Sequence, residues 1–292
     1  MQVKWLIELF VLAAIWGASF IFMRISVPEM GTFGLTFTRT TIATVFLAAI
    51  LYFSNRANIR KIFRYWSTLC LIALCGTAVP FSLWGIVSHS LESGPMAVLN
   101  ATTPLFGSLI AYLWLKESLS RNTIIGLALG FIGVCVMMLV PQEGIKFDTL
   151  ALSLGLLASA GYGLTANITR AKAVGLSPMT VATGSQFYAS LFLAPFAVYF
   201  MPEQMPSLDA WLSASVLGVL CTGYALYKYF QMIAEQGISK TLSVTYLIPL
   251  FAMLWGALFL GEPIESRTLF GGAFILLGVA CTTGYIKFRR KK

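Results

Sequence analysis

Two cations sit where an apolar chain has little reason to carry them. Arg39 lies about six residues into a hydrophobic run that begins at Phe33, and Lys228 lies near the end of a run spanning residues 210–233. A charge inside hydrocarbon is costly and marks a candidate for binding or relay, unless a long stem lets the head snorkel to the interface. Both readings stand for each cation. Rings form a second group. Trp5, Trp66 and Trp211 near run ends are explained by interfacial belts, but Trp16, Trp84, Tyr162, Tyr224, Tyr227 and Tyr246 fall within runs, where their N–H or O–H must find a partner. A cavity wall supplies partners, and helix packing is the alternative. Rings with polar tips suit an amphipathic organic solute, by stacking and by cation–π contact with an amine. Pro104 and Pro249 complete the set: each removes a helix hydrogen bond and frees the carbonyl four residues earlier, on Asn100 and Thr245. Freed carbonyls at membrane depth must be satisfied by protein, water or solute. A cavity-lining kink exposes Asn100 and Thr103 to solute; a purely structural kink does not. Ser19 and Asn167, in the stretches after Trp16 and Tyr162, are further candidate contacts.

Other chemistries lack their residues. There is no HExxH, no GxSxG and no phosphate-cradling GxxxxGK, so no catalytic residue is assigned and an enzyme is not expected. His89 is the single histidine and cannot build a zinc cluster alone. Cys70, Cys75, Cys135, Cys221 and Cys281 contain no CxxC pair and read as packing residues. Neither a metal nor a cofactor is expected. No Asp or Glu falls at mid-run: Glu8, Glu92 and His89 all lie toward run ends. A dedicated proton relay usually needs a buried carboxylate, so facilitated diffusion or exchange is at least as well supported as proton antiport. A phosphorylated solute would call for several cavity cations, and only two are available.

Positioning these residues requires elements that live in lipid. Of the 292 residues, 58% are hydrophobic and only 11% are charged, with mean hydropathy +0.82, whereas a soluble domain is about a quarter charged. A bilayer-crossing helix needs roughly 20 apolar residues. Ten such runs are predicted, at residues 5–23, 33–53, 65–87, 95–115, 123–140, 149–168, 180–201, 210–233, 242–260 and 269–287. The first begins almost at Met1 and has no small-residue cleavage site, so it is expected to be a retained helix. With the N-terminus inside, the inner face receives Lys4, Arg56, Arg60, Lys61, Arg64, Lys116, Arg121, Arg170, Lys172, Lys240 and the KFRRKK tail. The outer face receives only Arg24, Lys146 and Arg267. That asymmetry predicts both termini in the cytoplasm. The net charge of +9 is then topological, the tail is a membrane-surface anchor, and no nucleic-acid partner is needed.

The runs repeat. PLFGSLIAYLWLKE from Pro104 returns as PLFAMLWGALFLGE from Pro249; Gly126 and Gly133 then fall on Gly271 and Gly278, and WGASFIFMR from Trp16 lies against YGLTANITR from Tyr162. Two units are expected, 1–145 and 146–292. Each has five spans, an odd number, so the second must enter the membrane from the opposite side. Inverted repeats are the architecture of secondary transporters, in which the halves trade conformations. A channel is the weaker alternative, because a duplicated inverted unit favours alternating access.

With its WG in the first helix, TPLF and IPLF segments closing on KE and GE, and the glycines that follow, the sequence resembles the EamA-type exporters of the drug/metabolite transporter superfamily over nearly its whole length. The resemblance implies an all-α integral membrane protein: ten transmembrane helices as two inverted five-helix repeats around a central cavity. It also implies export of amino acids, other metabolites or drugs from a bacterial cytoplasm across the inner membrane, and it matches Arg39 to an arginine common early in the family's second helix. Lys228 has no such counterpart. On these grounds Trp16, Ser19, Arg39, Trp84, Asn100, Thr103, Tyr162, Asn167, Tyr227 and Tyr246 are the expected substrate contacts, with Pro104 and Pro249 as gating kinks. Small amphipathic metabolites, amino acids first, are the expected substrates. The partners are the solute and the bilayer. The Gly126/Gly130 GxxxG pair either packs the fifth and tenth helices together or supports a homodimer.

Overall fold

The computed structural model describes residues 2–54, 56–91, 93–138, 149–261, 270–271, 273–274, 277–278, 280–281 and 286. Most of the expected tenth span, the 145/146 junction, Glu92, Lys146, Glu262, Arg267, Gly272 and the basic tail lie outside the described residues. The described residues fold into helices joined by short turns. Among the described residues, eight helical stretches are long and apolar enough to cross a membrane. They are Lys4–Met30, Thr32–Ser54, Trp66–Val87 and Met96–Leu115, spans one to four, and Thr149–Lys172, Pro178–Tyr199, Leu208–Gln236 and Lys240–Phe259, spans six to nine. The fifth helix, Arg121–Met138, carries a shorter apolar stretch, Arg121–Gly133. A short helix, Ala57–Arg64, separates spans two and three and ends on Lys61 and Arg64, as suits a segment lying along a membrane surface. Large apolar side chains such as Phe53, Leu113, Leu157 and Val198 are exposed on the outside of the bundle, where a lipid-facing wall needs them.

Span four is broken where the sequence expects a kink. It consists of Ser93–Asn100, a turn at residues 101–102, and Thr103–Leu115. Pro104 sits in the first turn of the second piece, where its missing N–H is of no consequence. The Leu99 carbonyl at the break accepts from the hydroxyls of Thr102, at 2.7 Å, and Ser159, at 3.0 Å. Span nine is broken differently: Ile238–Leu242 ends at Ser243, and Val244–Leu260 carries Pro249 inside it. Both PLF helices end on a left-handed residue, Lys116 at φ 55° and Gly261 at φ 67°. The K of KE and the G of GE are thus the same helix cap. Glycine adopts it freely, and Lys116 adopts it at some strain.

Packing follows a matched pattern. Span one lies against spans eight and nine, span six lies against spans three and four, and spans two and seven lie along each other. The glycine of WG makes the first contact close: a Cβ on Gly17 would stand 2.9 Å from the Ala252 nitrogen. In the second, a Cβ on Gly163 would stand 2.6 Å from the Gly107 nitrogen. Gly278 is pressed onto the Gly126 and Gly130 backbone, so the GxxxG face is used within the chain. Spans three and eight each contain a π-helical segment, Leu74–Ala78 and Leu217–Tyr224. In span three the cause is visible. Pro80 cannot donate to the preceding turn, and the ladder changes register there.

Candidate functional site

Where spans one, three, four, six, eight and nine approach one another, with Arg39 reaching in from span two, they leave a cavity of about 840 Å³ of atom-free space, mouth included. Each helix contributes one stripe. Span one gives Trp16, Ser19, Phe20 and Met23; span eight gives Leu226, Tyr229 and Phe230; span six gives Tyr162 and Thr165. The steps of three and four residues are those of a single helical face. Thr77, Phe81 and Trp84 come from span three, Asn100 and Thr103 from the break in span four, and Leu242 and Thr245 from the start of span nine. Asn100 and Thr245, each four residues before a proline, therefore face one space.

The rings form the wall in pairs. Trp16 and Tyr229 lie 5.4 Å apart between centroids, Phe20 meets Trp84 edge-on at 6.1 Å, and Phe81 meets Tyr162 at 6.4 Å. The Trp16 indole N–H donates to the Cys221 carbonyl at 3.0 Å, within the π-helical segment of span eight. A π turn disturbs the regular i→i+4 ladder, which leaves such carbonyls open to a side-chain donor. Ser19 is occupied locally, donating to the Trp16 carbonyl at 2.6 Å.

Arg39 is the cavity's one charged group among the described lining residues, and it is 5% exposed. Its Nε and Nη2 donate to Thr222 Oγ1 at 3.1 and 3.0 Å, and the guanidinium stands 4.0 Å from the centre of the Phe81 ring. No carboxylate lies within ion-pair distance of it among the described residues. Five N–H groups radiate from a guanidinium, and Thr222 takes only two of them. A matching bridge lies across the molecule. Gln186 Nε2 of span seven donates to Thr77 Oγ1 at 3.0 Å, and Thr77 is related to Thr222 by the spacing that relates Pro104 to Pro249. Both bridges end on a threonine hydroxyl, but Arg39 forks onto Thr222 with two donors and carries a charge where Gln186 gives one neutral donor, so the cavity is positive on the Arg39 side.

Seven of the ten expected contacts meet at this cavity: Trp16, Ser19, Arg39, Trp84, Asn100, Thr103 and Tyr162. Three do not line it. Asn167 is off the Tyr162–Thr165 stripe and ties spans six and four together, its amide donating to the Gly107 and Gly163 carbonyls at 2.9 and 2.8 Å. Tyr227 is half-buried and lies off the Leu226–Tyr229–Phe230 face. Tyr246 is wholly buried against Gly130 of the fifth helix, and its hydroxyl has no partner among the described residues. Tyr246→Phe is therefore expected to leave transport unchanged and to raise stability by about 1 kcal/mol, because an unsatisfied buried hydroxyl is removed. Thermal midpoint and initial transport rate, compared with those of the parent protein, check this. Lys228 is also outside the lining; it pairs with Glu8 at 3.3 Å, both side chains about a quarter exposed. The sequence reading missed Phe81, Thr222 and Tyr229. Helical periodicity from Leu226 would have found Tyr229, and the repeat spacing from Thr77 would have pointed to Thr222.

Comparison with known proteins gives a consistent picture. A solved crystal structure shares this fold with a TM-score of 0.76 over 96% of each chain, at 16% sequence identity. An uncharacterized transporter of Archaeoglobus fulgidus is 21% identical over 99% of both chains. A probable terminal-alkyne amino-acid exporter of Streptantibioticus cattleyicolor is 26% identical over 90% of this chain and 88% of its own. An S-adenosylmethionine/S-adenosylhomocysteine transporter of Chlamydia muridarum is 24% identical over 92% and 88%. The model of one family matches twice, at residues 3–139 and 149–284. The protein is a multi-pass membrane protein and belongs to the EamA-like transporter family.

Proposed function

We propose that this transporter exports small amphipathic metabolites that carry a carboxylate, amino acids foremost, from the cytoplasm across the bacterial inner membrane. One observation carries the reading: a buried guanidinium with donors to spare and no acidic partner among the described residues, set beside a wall of rings. A carboxylate is the planar, two-oxygen acceptor that a guanidinium fork matches. Tyr162, Tyr229 and Trp16 supply apolar faces for the side chain and π surface for an amine. The named amino-acid exporter among the relatives supports the same class. The two family matches and the matched packing of spans one and six support two inverted units, 1–145 and 146–292, working by alternating access, and the lysine and arginine asymmetry of the loops supports both termini in the cytoplasm. Pro104, in the first turn after the break in span four, and Pro249, inside the long helix of span nine, are the gating positions in this scheme.

Counterflow in proteoliposomes tests the reading without an imposed ion gradient. Vesicles loaded in turn with aromatic, aliphatic and basic amino acids should accumulate labelled solute for at least one class. Failure with every amino acid would sink it. The mostly apolar lining favours one second reading, export of lipophilic drugs or other metabolites, which the same vesicles test with those solutes.

A further inference from the structure

A second cavity, of about 1410 Å³ of atom-free space, opens at the end of the bundle that carries Arg170 and Lys240. Its walls are the last turns of spans six and eight, the connection at residues 173–178, and the first residues of span nine. Phe230 lines this cavity and the central one; it is the residue common to both linings, and it is 4% exposed. The helix faces continue past it. Thr165 of the central cavity is followed one turn later by Thr169 of the second, and Leu226 and Phe230 are followed by Ile233 and Ala234.

The two threonines on this track are unusual. In a membrane helix a threonine hydroxyl normally donates to the carbonyl one turn back, as Thr40, Thr44 and Thr183 do here at 2.7–2.9 Å. Thr165 and Thr169 are 4% and 8% exposed, and neither hydroxyl has a hydrogen-bond partner among the described residues. Both threonines stand in register between the two cavities, with hydroxyls free to turn toward an occupant of the path. The charge of the second cavity is also one-sided. Arg170 is balanced by Glu117 at 2.6 Å, but Lys240 has no carboxylate within ion-pair distance among the described residues, and the Trp5 ring lies 6.0 Å from it.

We infer that this second cavity is a loading vestibule for the anionic end of the solute. Lys240 draws the carboxylate in, Thr169 and Thr165 line its way, and Phe230 is the ring that must move before it reaches Arg39. The inference rests on the carboxylate reading above and names the route to that site. The basic loops around it place the vestibule on the cytoplasmic side.

Thiol labelling tests this without any transported substrate, so its failure is separate from a failure of counterflow. In a chain with its five cysteines replaced, Ala234→Cys reports on the vestibule and Thr103→Cys on the central cavity. Inside-out vesicles are treated with anionic and cationic methanethiosulfonates, each rate scaled to that of a small free thiol. The anionic reagent is expected to modify Ala234→Cys about three- to tenfold faster, and Lys240→Gln to remove most of that preference. Phe230→Ala is expected to speed modification of Thr103→Cys from the same side by about tenfold. Equal rates for the two reagents, or labelling of Ala234→Cys from the outer face alone, would overturn the vestibule. Unchanged labelling of Thr103→Cys in a folded Phe230→Ala protein would overturn the barrier. Lys240 is exposed, so its variant leaves the charge test intact if Phe230→Ala does not fold.

Discussion

Arg39→Gln should lower kcat/KM for a carboxylated solute by roughly 100-fold or more. Hydrogen bonds to a charged group contribute about 1.5–3 kcal/mol each, and a fork engages two, while tenfold in rate corresponds to about 1.4 kcal/mol. A general loss of packing would also lower transport, so discrimination is the sharper readout. An amino acid and its decarboxylated amine differ only in the group that Arg39 is proposed to hold. The parent protein should favour the amino acid, and Arg39→Gln should erase that preference while leaving amine transport within a few fold. Arg39→Lys keeps the charge and loses the fork, and should recover only part of the difference. If Arg39→Gln slows both solutes equally, the guanidinium is a structural strut between spans two and eight, and the carboxylate reading fails.

The geometry around Arg39 explains why such a charge is tolerable. Thr222 and the Phe81 ring offset part of its desolvation, and both come from the spans that hold π-helical segments. A π turn widens the helix and re-aims the side chains after it. Span eight uses its segment to present Thr222 to Arg39; span three uses the matching one to present Thr77 to Gln186. A similar device therefore recurs in spans three and eight, with a forked cation at Arg39 where the other bridge has the neutral Gln186. Binding one charged group in a cavity built from similar halves requires some such asymmetry.

Helix positions were legible because the hydrocarbon layer imposes a length and a composition that few other environments demand. The boundaries were less so. Span one runs on to Met30, seven residues past its expected end, because Arg24 and Pro28 read as loop residues but are accommodated in the last turns. The WG and YG pairs were recognised as repeats, yet their physical meaning was hidden: the glycine sets the distance to the neighbouring helix and the ring beside it faces the cavity. Asn167 is a candidate because it is polar and follows Tyr162, and Tyr246 because it is a polar ring inside a run. Polarity gives depth, but the direction of a side chain follows from the helical face, and both residues lie off the lining stripes. The helix breaks show the same limit. Pro104 marked the break in span four closely, but in span nine the break falls at Ser243, well before Pro249. A proline's local geometry is fixed, and neighbouring helices decide whether it breaks a helix or bends it.

Gly163→Ala should be among the most damaging single-methyl additions in the protein. The new Cβ would lie 2.6 Å from the Gly107 nitrogen and 3.0 Å from its Cα, so it meets backbone, which cannot turn aside as a side chain can. Spans four and six would have to separate. Overpacking costs about 1–3 kcal/mol, and separation would also break the Asn167 bond to the Gly107 carbonyl, one turn along, worth about 0.6 kcal/mol in a membrane. A fall of roughly 5–10 °C in the thermal midpoint of the detergent-solubilised protein is expected, by analogy with about 2–4 °C per kcal/mol in soluble domains. Gly261→Asn is the control. Gly261 is left-handed, has nothing within 4 Å of an added Cβ, and matches Lys116, which holds the same conformation with a full side chain. Asparagine tolerates that conformation, so Gly261→Asn should shift the midpoint by less than about 2 °C. Equal midpoints for the two variants would mean that the helices at Gly163 can part freely. The tight crossing beside the cavity would then be no constraint on how the halves move.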